Sequence, residues 1–368
     1  MPSQDEEGRR RARETYDAGV ALRREGRHEE ALAELTSALE LYRGLHGTRW
    51  RQADCLHGMG LVLREAGRPE EALASFQDAL SLYHQVEDTE KEQAGCLNIT
   101  GITLRRLGRY EEALASYRQA LELYRSQSGT GREQAMCLRN TGLALRTVGR
   151  YEEALASYRK ALELYRSQGG TEREQGMCLR NTGLALHGLE KHEEALEAYR
   201  QALELYRQVE GSERDQALCL HGTGLALHAM GRHEEALASY RDALGLYHQV
   251  DGTQKDQALC LYGTGNTLRQ VGRYGEACIA FQEALGLYRQ VEGTQRDQAS
   301  CLYNTGLALG SMERHEEALA SYRDALVLYR QVEGTEKSQA ECLNGIGKAL
   351  HATGRYARAR EAFRDAQD

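Results

Sequence analysis

The sequence predicts an all-α protein, a solenoid of nine antiparallel helix pairs running through residues 1–368 as a single domain. Three observations lead there. A glycine recurs every 41 residues, at Gly19, Gly60, Gly101, Gly142, Gly183, Gly224, Gly265, Gly306 and Gly347. A second column, Gly26, Gly67, Gly108, Gly149, Gly231, Gly272 and Gly354, keeps the same step, with Glu190 and Glu313 in its two gaps. Between these markers the apolar spacing is helical rather than alternating. Self-similarity at such a period marks a chain whose units bury their apolar faces only against their neighbours. No linker or composition shift interrupts it, which overrides the two or three globular domains that the length alone would suggest.

The first helix is expected from about Gln4 to Arg24, with Ser3 and Glu6 at capping spacing. Where later units carry Cys and Leu it has Glu14 and Thr15, so its outward side is polar. Cys137 to Gln175 shows the internal pattern. Leu138, Thr141, Gly142, Leu145 and Val148 form one stripe; Ala154, Leu155, Tyr158, Ala161, Leu162 and Tyr165 form the second. Gly149 and Arg150 make the turn between them, and Gly170 supplies the left-handed residue that stops the second helix. Thr171 then stands at capping-box spacing from Glu174. Thr89–Glu92, Thr130–Glu133, Ser212–Asp215, Thr253–Asp256 and Thr294–Asp297 repeat that spacing. Glutamate pairs such as Glu152–Glu153 and Glu193–Glu194 open the second helices and complement their dipoles. Each helix should run for about 16 residues, or about 24 Å. The final helix has Arg360 and Gln367 in columns that are leucine elsewhere. Wet faces at both ends predict a complete, capped and monomeric solenoid.

These residues resemble the tetratricopeptide repeat. Gly142, the Gly149–Arg150–Tyr151 turn, Ala154, Tyr158 and Ala161 match that motif in order and spacing. The departure is length, since the typical repeat has about 34 residues. No unit has the family's helix-ending proline, and the second helix continues to Tyr165 and its equivalents. Such lengthened repeats are similar to those of Pins/LGN-type polarity adaptors, kinesin light chains and many bacterial tetratricopeptide proteins. The resemblance implies a right-handed superhelix, with first helices lining a concave groove, and a partner-binding scaffold. It names no partner.

Composition narrows the chemistry. The chain has 28% charged residues, a net charge of −8, no run able to span a membrane and no signal-peptide pattern at its start, which predicts a cytoplasmic protein. Cys55, Cys96, Cys137, Cys178, Cys219, Cys260, Cys301 and Cys342 form a column, with Cys278 extra. Neighbouring helix axes lie about 8–10 Å apart, whereas a disulfide needs Cα atoms within about 7 Å. One thiol per unit also supplies no paired zinc ligands, so the column reads as small buried packing residues in a reducing compartment. His187, His228 and His351 share another column, with His221 two turns before His228, and these do not converge as metal ligands. No triad, phosphate-cradling loop or catalytic carboxylate pair stands apart from repeat glycines and helix caps. The expectation is a non-enzymatic protein with no cofactor or metal.

The columns expected to face the groove carry Arg13, Arg23, Arg24, Arg64, Arg105, Arg106, Arg139, Arg146, Arg180, Arg269 and Lys348, against Asp17, Asp54, Glu65 and Glu341. A basic cleft in an acidic protein favours an acidic ligand, unless these cations are spent on ion pairs within the solenoid. Asn140, Asn181 and Asn304 stand two residues before the helix glycine. In the lengthened-repeat adaptors an Asn there contacts the backbone of an extended peptide. Tyr262, Asn266 and Tyr303 lie further along, and Met136, Met177, Leu218 and Leu259 add an apolar stripe. The chaperone-type carboxylate clamp of the family is not reproduced. The predicted function is a scaffold holding an acidic, partly apolar peptide. The alternative is nucleic acid along the arginine-lined groove, disfavoured by net acidity and few groove tyrosines.

Overall fold

The computed structural model describes residues 4–367, which form eighteen α-helices and no strand. The predicted Ser3 cap lies outside the described residues. The chain divides into two compact units, the first ending at Gly188 and the second beginning at Leu189. The first comprises α1 (Gln4–Arg24), α2 (His28–Arg43), α3 (Arg49–Glu65), α4 (Pro69–Tyr83), α5 (Glu90–Arg106), α6 (Tyr110–Ser126), α7 (Gly131–Thr147), α8 (Tyr151–Arg166) and α9 (Glu172–Gly188). The second comprises α10 (His192–Tyr206), α11 (Glu213–Ala229), α12 (His233–Tyr247), α13 (Gln254–Gln270), α14 (Tyr274–Tyr288), α15 (Gln295–Ser311), α16 (His315–Tyr329), α17 (Glu336–Ala352) and α18 (Tyr356–Asp365). Within each unit successive helices pack on one another, and α1, α5, α7, α11, α13 and α15 each also touch the next odd-numbered helix. Each is a helical solenoid.

One ring per repeat sets the distance between helices. A Cβ built on Gly101 would lie 2.5 Å from the Tyr117 ring, and one on Gly265 would lie 2.6 Å from Phe281. The following repeat presses on the same kind of ring from the other side, as Gly263 does on Tyr240. Tyr117, Tyr158 and Phe281 are wholly buried, and an aromatic side chain hides about 150–250 Å² in such a place. The glycine column is therefore the seat of the ring column.

The turns follow the second glycine column. Gly149 has φ +78°, and Glu190 and Glu313, in the gaps, are forced to the same left-handed backbone at φ 60°; Gly170, which ends α8 in a column of its own, has φ +69°. That conformation costs an L-residue about 1–2 kcal/mol. The turn arginine holds the helix that follows: Arg150 donates from Nε to Glu153 Oε1 at 2.6 Å and from Nη2 to Oε2 at 2.7 Å. Those bonds keep the exposed Glu153 carboxyl below its ordinary range. The second glutamate of each pair thus has a definite partner besides the helix dipole.

The expected capping boxes are corrected. At Thr89, Thr130, Ser212, Thr253 and Thr294 no side-chain cap bond forms. The hydroxyl turns back instead: Thr171 donates to the Tyr165 carbonyl at 2.7 Å and accepts from Gln175 Nε2 at 3.0 Å. Thr89, Thr253 and Thr294 repeat both bonds with Tyr83 and Gln93, Tyr247 and Gln257, and Tyr288 and Gln298. The buried end of the preceding helix has carbonyls that water cannot reach, so satisfying them outweighs a cap on a helix start. The partner that matters is the glutamine four residues on.

The eight column cysteines are wholly buried and in no disulfide, and Cys278 is half-buried. Burial pushes the Cys137 thiol up to about 12. Among the described residues no cluster of His, Cys, Asp or Glu could hold a metal, and no helix is long and apolar enough to cross a membrane.

Candidate partner-binding surface

In the first unit the arginines fall into two rows across neighbouring first helices. Arg139 of α7 and Arg180 of α9 make one row; Arg23, Arg64, Arg105 and Arg146, on α1, α3, α5 and α7, make the other. Arg139 and Arg146 are seven residues apart, two turns up one face. The rows divide by partner. Arg23 donates to Glu65 Oε1 at 3.1 Å and Arg64 lies 3.8 Å from the same oxygen, so one carboxylate serves two guanidiniums. Burial presses the Arg64 group below its ordinary pKa, and the Arg106 and Arg23 cations add to this against the pull of Glu65. Here the intramolecular ion-pair reading holds. Arg13 is likewise placed 3.8 Å from Asp17.

Arg105, Arg139, Arg146 and Arg180 differ. Each is half-buried, its Nε–H is shielded from water, and no acceptor faces that Nε among the described residues. None forms a salt bridge there. Arg105 and Arg146 stand beside the Tyr117 and Tyr158 hydroxyls, which burial pushes up to about 12 against the opposing effect of those cations. Arg139 donates from Nη1 to the Met177 thioether at 3.2 Å. Around it opens a cleft of about 360 Å³ whose walls include Met136, Met177 and Tyr165 with Arg139 and Arg173. Glu133 and Glu174 also line it, but Glu133 is 3.5 Å from Lys91 Nζ and Glu174 is bound by Arg132.

The asparagines are placed inside the solenoid. Asn140 and Asn181 are buried, and Asn140 Nδ2 donates to Asn98 Oδ1 at 3.1 Å. Asn98 was not singled out in the sequence because it stands one position before the asparagine column. In the second unit Asn304 Nδ2 donates to the Tyr262 hydroxyl at 3.0 Å, and Asn266 stands beside the same hydroxyl. Tyr262 and Tyr303 are half-buried, with ring centroids 5.7 Å from Phe281 and Tyr322 respectively. Arg269 is half-buried with no acceptor at its Nε among the described residues. Leu259 is 43% exposed beside this face. His228 is hydrogen-bonded to Thr267 Oγ1 at 2.9 Å, which gives that histidine a structural partner.

A tetratricopeptide repeat model matches residues 11–85, 97–167, 169–249, 257–331 and 311–368, and a second model of the same repeat matches 57–128 and 221–292. The chain belongs to the tetratricopeptide repeat family. This tetratricopeptide repeat protein is similar in structure to aspartyl phosphate phosphatase F from Bacillus subtilis, with 12% identity, TM-score 0.61, and coverage of 100% of this chain and 94% of that one. It is similar to a Rap protein crystallised with Competence and Sporulation Factor, at 14% identity and TM-score 0.59 over 97% and 96% of the two chains. A tetratricopeptide repeat protein from Parabacteroides merdae gives 16% identity and TM-score 0.54 over 88% and 100%. Identities this low show a common fold and nothing finer. No curated protein matches the sequence.

Proposed function

We propose that this protein is a non-enzymatic adaptor that holds an acidic, partly apolar peptide or protein segment on the first-helix face of its first unit. One observation carries the reading. Arg105, Arg139, Arg146 and Arg180 are half-buried cations with a shielded, unaccepted Nε–H and no salt bridge among the described residues. A cation partly withdrawn from water and left unpaired gains most from an incoming carboxylate, and the guanidinium fork suits that group. Met136, Met177 and Tyr165 offer the apolar side of the same cleft, and methionine adapts to varied side chains. The Rap protein crystallised with Competence and Sporulation Factor shares the fold, which is compatible with a bound partner. Nine buried or half-buried thiols fit a reducing compartment such as the cytoplasm.

The test is fluorescence anisotropy with a labelled peptide of alternating Glu and Leu, its Gln-for-Glu counterpart, and a single-stranded oligonucleotide. The acidic peptide should bind, and added salt should weaken it. Equal binding of the Gln peptide would remove the charge argument. Tighter binding of the oligonucleotide would give the arginines to nucleic acid instead.

A further inference from the structure

In the second unit, one first-helix position lacks the side chain that its sister repeats provide. The column of Arg23, Arg64, Arg105, Arg146, His187, His228, Arg269 and His351 holds Gly310 near the end of α15. A cavity of about 240 Å³ opens there, between α15, α16 and α17. Tyr322 lines it as a floor, and Ala349, His315 and Lys348 also line it. The floor is rigid: the Tyr322 ring is held by Gly306 and Gly345, whose added Cβ atoms would lie 2.6 and 2.9 Å from it. Packing does not require the gap. A Cβ on Gly310 would meet only the Tyr322 hydroxyl, at 3.9 Å, and the backbone there is ordinary helix.

The charge at this cavity is one-sided. Lys348 is exposed, no ion pair engages it among the described residues, and no carboxylate lines the space. The nearby Glu316 is bound by Arg355, and Glu317 is held by Arg314 at 2.6 Å. Burial and the neighbouring Tyr303 raise the Tyr322 phenol, which keeps its hydroxyl a neutral donor.

We propose that the Gly310 cavity is a pocket for a small carboxylate on a short apolar stem, with Lys348 as the cation and Tyr322 as the floor. The volume is below the ~300–1,000 Å³ of sites for drug-sized ligands, and matches one side chain or a small dicarboxylate. The chemistry is shared by a glutamate side chain in a peptide and by a free dicarboxylate such as glutarate. This site uses none of the first unit's arginines and stands or falls apart from the proposal made for them.

Isotope-labelled full-length protein is titrated with glutarate, with acetyl-Gly-Glu-Gly-amide and with acetyl-Gly-Gln-Gly-amide, following the Gly310 and Gly345 amide signals. At least one carboxylate probe should give saturable shifts with Kd of about 1 mM or below, the range open to so few contacts. The glutamine peptide should give none. Glutarate binding alone assigns a free dicarboxylate, and binding of the Glu peptide alone assigns a side chain. Gly310→Arg, which restores the side chain of the sister repeats, should abolish the shifts, and Lys348→Gln should weaken them by about tenfold. Lys348→Gln decides the matter if Gly310→Arg perturbs folding. The Arg139→Glu, Arg146→Glu, Arg180→Glu variant should bind these probes as the wild type does. Absence of saturable shifts, or an unchanged Kd in Lys348→Gln, would overturn the pocket.

Discussion

Where the first unit has Arg139 and Arg180, the second has Tyr262 and Tyr303; where the first has Arg64, Arg105 and Arg146, the second has His228, Arg269 and Gly310. The scaffold beneath is the same in both. Gly101 and Gly142 seat Tyr117 and Tyr158 as Gly265 and Gly306 seat Phe281 and Tyr322. Thr171 closes the end of α8 as Thr294 closes the end of α14. The first of these variable columns also accepts any planar group: His57, His221, Tyr262 and Tyr303 all place a ring 5.7 or 5.8 Å from a second-helix ring. Stability is thus fixed by glycine, ring and threonine, and the exposed tip of the column is left free for chemistry.

The largest effect expected from breaking that shared scaffold is at the ring. Tyr158→Ala should cost about 3–5 kcal/mol in urea unfolding, the usual range for a buried aromatic. Tyr158→Phe should stay within about 1 kcal/mol of wild type, because Phe281 fills the equivalent place in its own repeat. A small loss for the alanine variant would show that the ring is not what spaces the helices.

Acid should strain both units through one histidine each. Burial holds His57 down to about 4, aided by the Arg23 and Arg64 cations, and holds His221 down to about 4 against the pull of Asp256. Both values lie below the ordinary 6.5. The unfolded chain therefore binds more protons between these limits, so this stability is intact above pH 6.5 and lost as pH falls toward 4. At pH 5 the loss is about 2 kcal/mol for each histidine. Asn98 and Asn344 occupy the same column, so His57→Asn and His221→Asn should each remove their share of the difference between unfolding at pH 7 and at pH 5. An undiminished difference in both variants would count against buried neutral imidazoles.

The smallest effect concerns a turn. Within the first unit the turns between paired helices are Gly26, Gly67, Gly108 and Gly149, whereas the second unit places Glu313 at φ 60°. Glu313→Gly should raise stability by about 1 kcal/mol, the left-handed strain relieved less the entropy added to the unfolded chain. A loss of stability on that change would mean that the Glu313 side chain makes up for its backbone.

The helices, their turns and the cysteine column were legible in the sequence because a 41-residue period repeats each local signal many times. Glu190 and Glu313 could be placed in their turns by position alone. The threonine bonds were misread because Thr171 has Glu174 at capping spacing and Gln175 one residue later, and only the burial of the Tyr165 carbonyl decides between them. The arginine rows could be named but not sorted. That Arg23 and Arg64 share Glu65 while Arg105, Arg139, Arg146 and Arg180 form no salt bridge among the described residues depends on contacts between helices of different repeats. Asn98 was hidden by a shift of one position, which a column reading cannot see.

The most direct measurement is the affinity of the Glu–Leu peptide for the Arg139→Glu, Arg146→Glu, Arg180→Glu variant, beside its melting temperature. The core rests on the buried Leu138, Leu145 and Tyr158 and their buried or half-buried equivalents, whereas these arginines make no ion pair among the described residues. No ion pair is lost in the variant, so melting should shift far less than binding does. Binding should fall by about a hundredfold or more and lose its salt dependence, as expected when charges in a cleft are reversed. Unchanged affinity with an intact fold would contradict the assignment of the first unit's arginine face to an acidic partner.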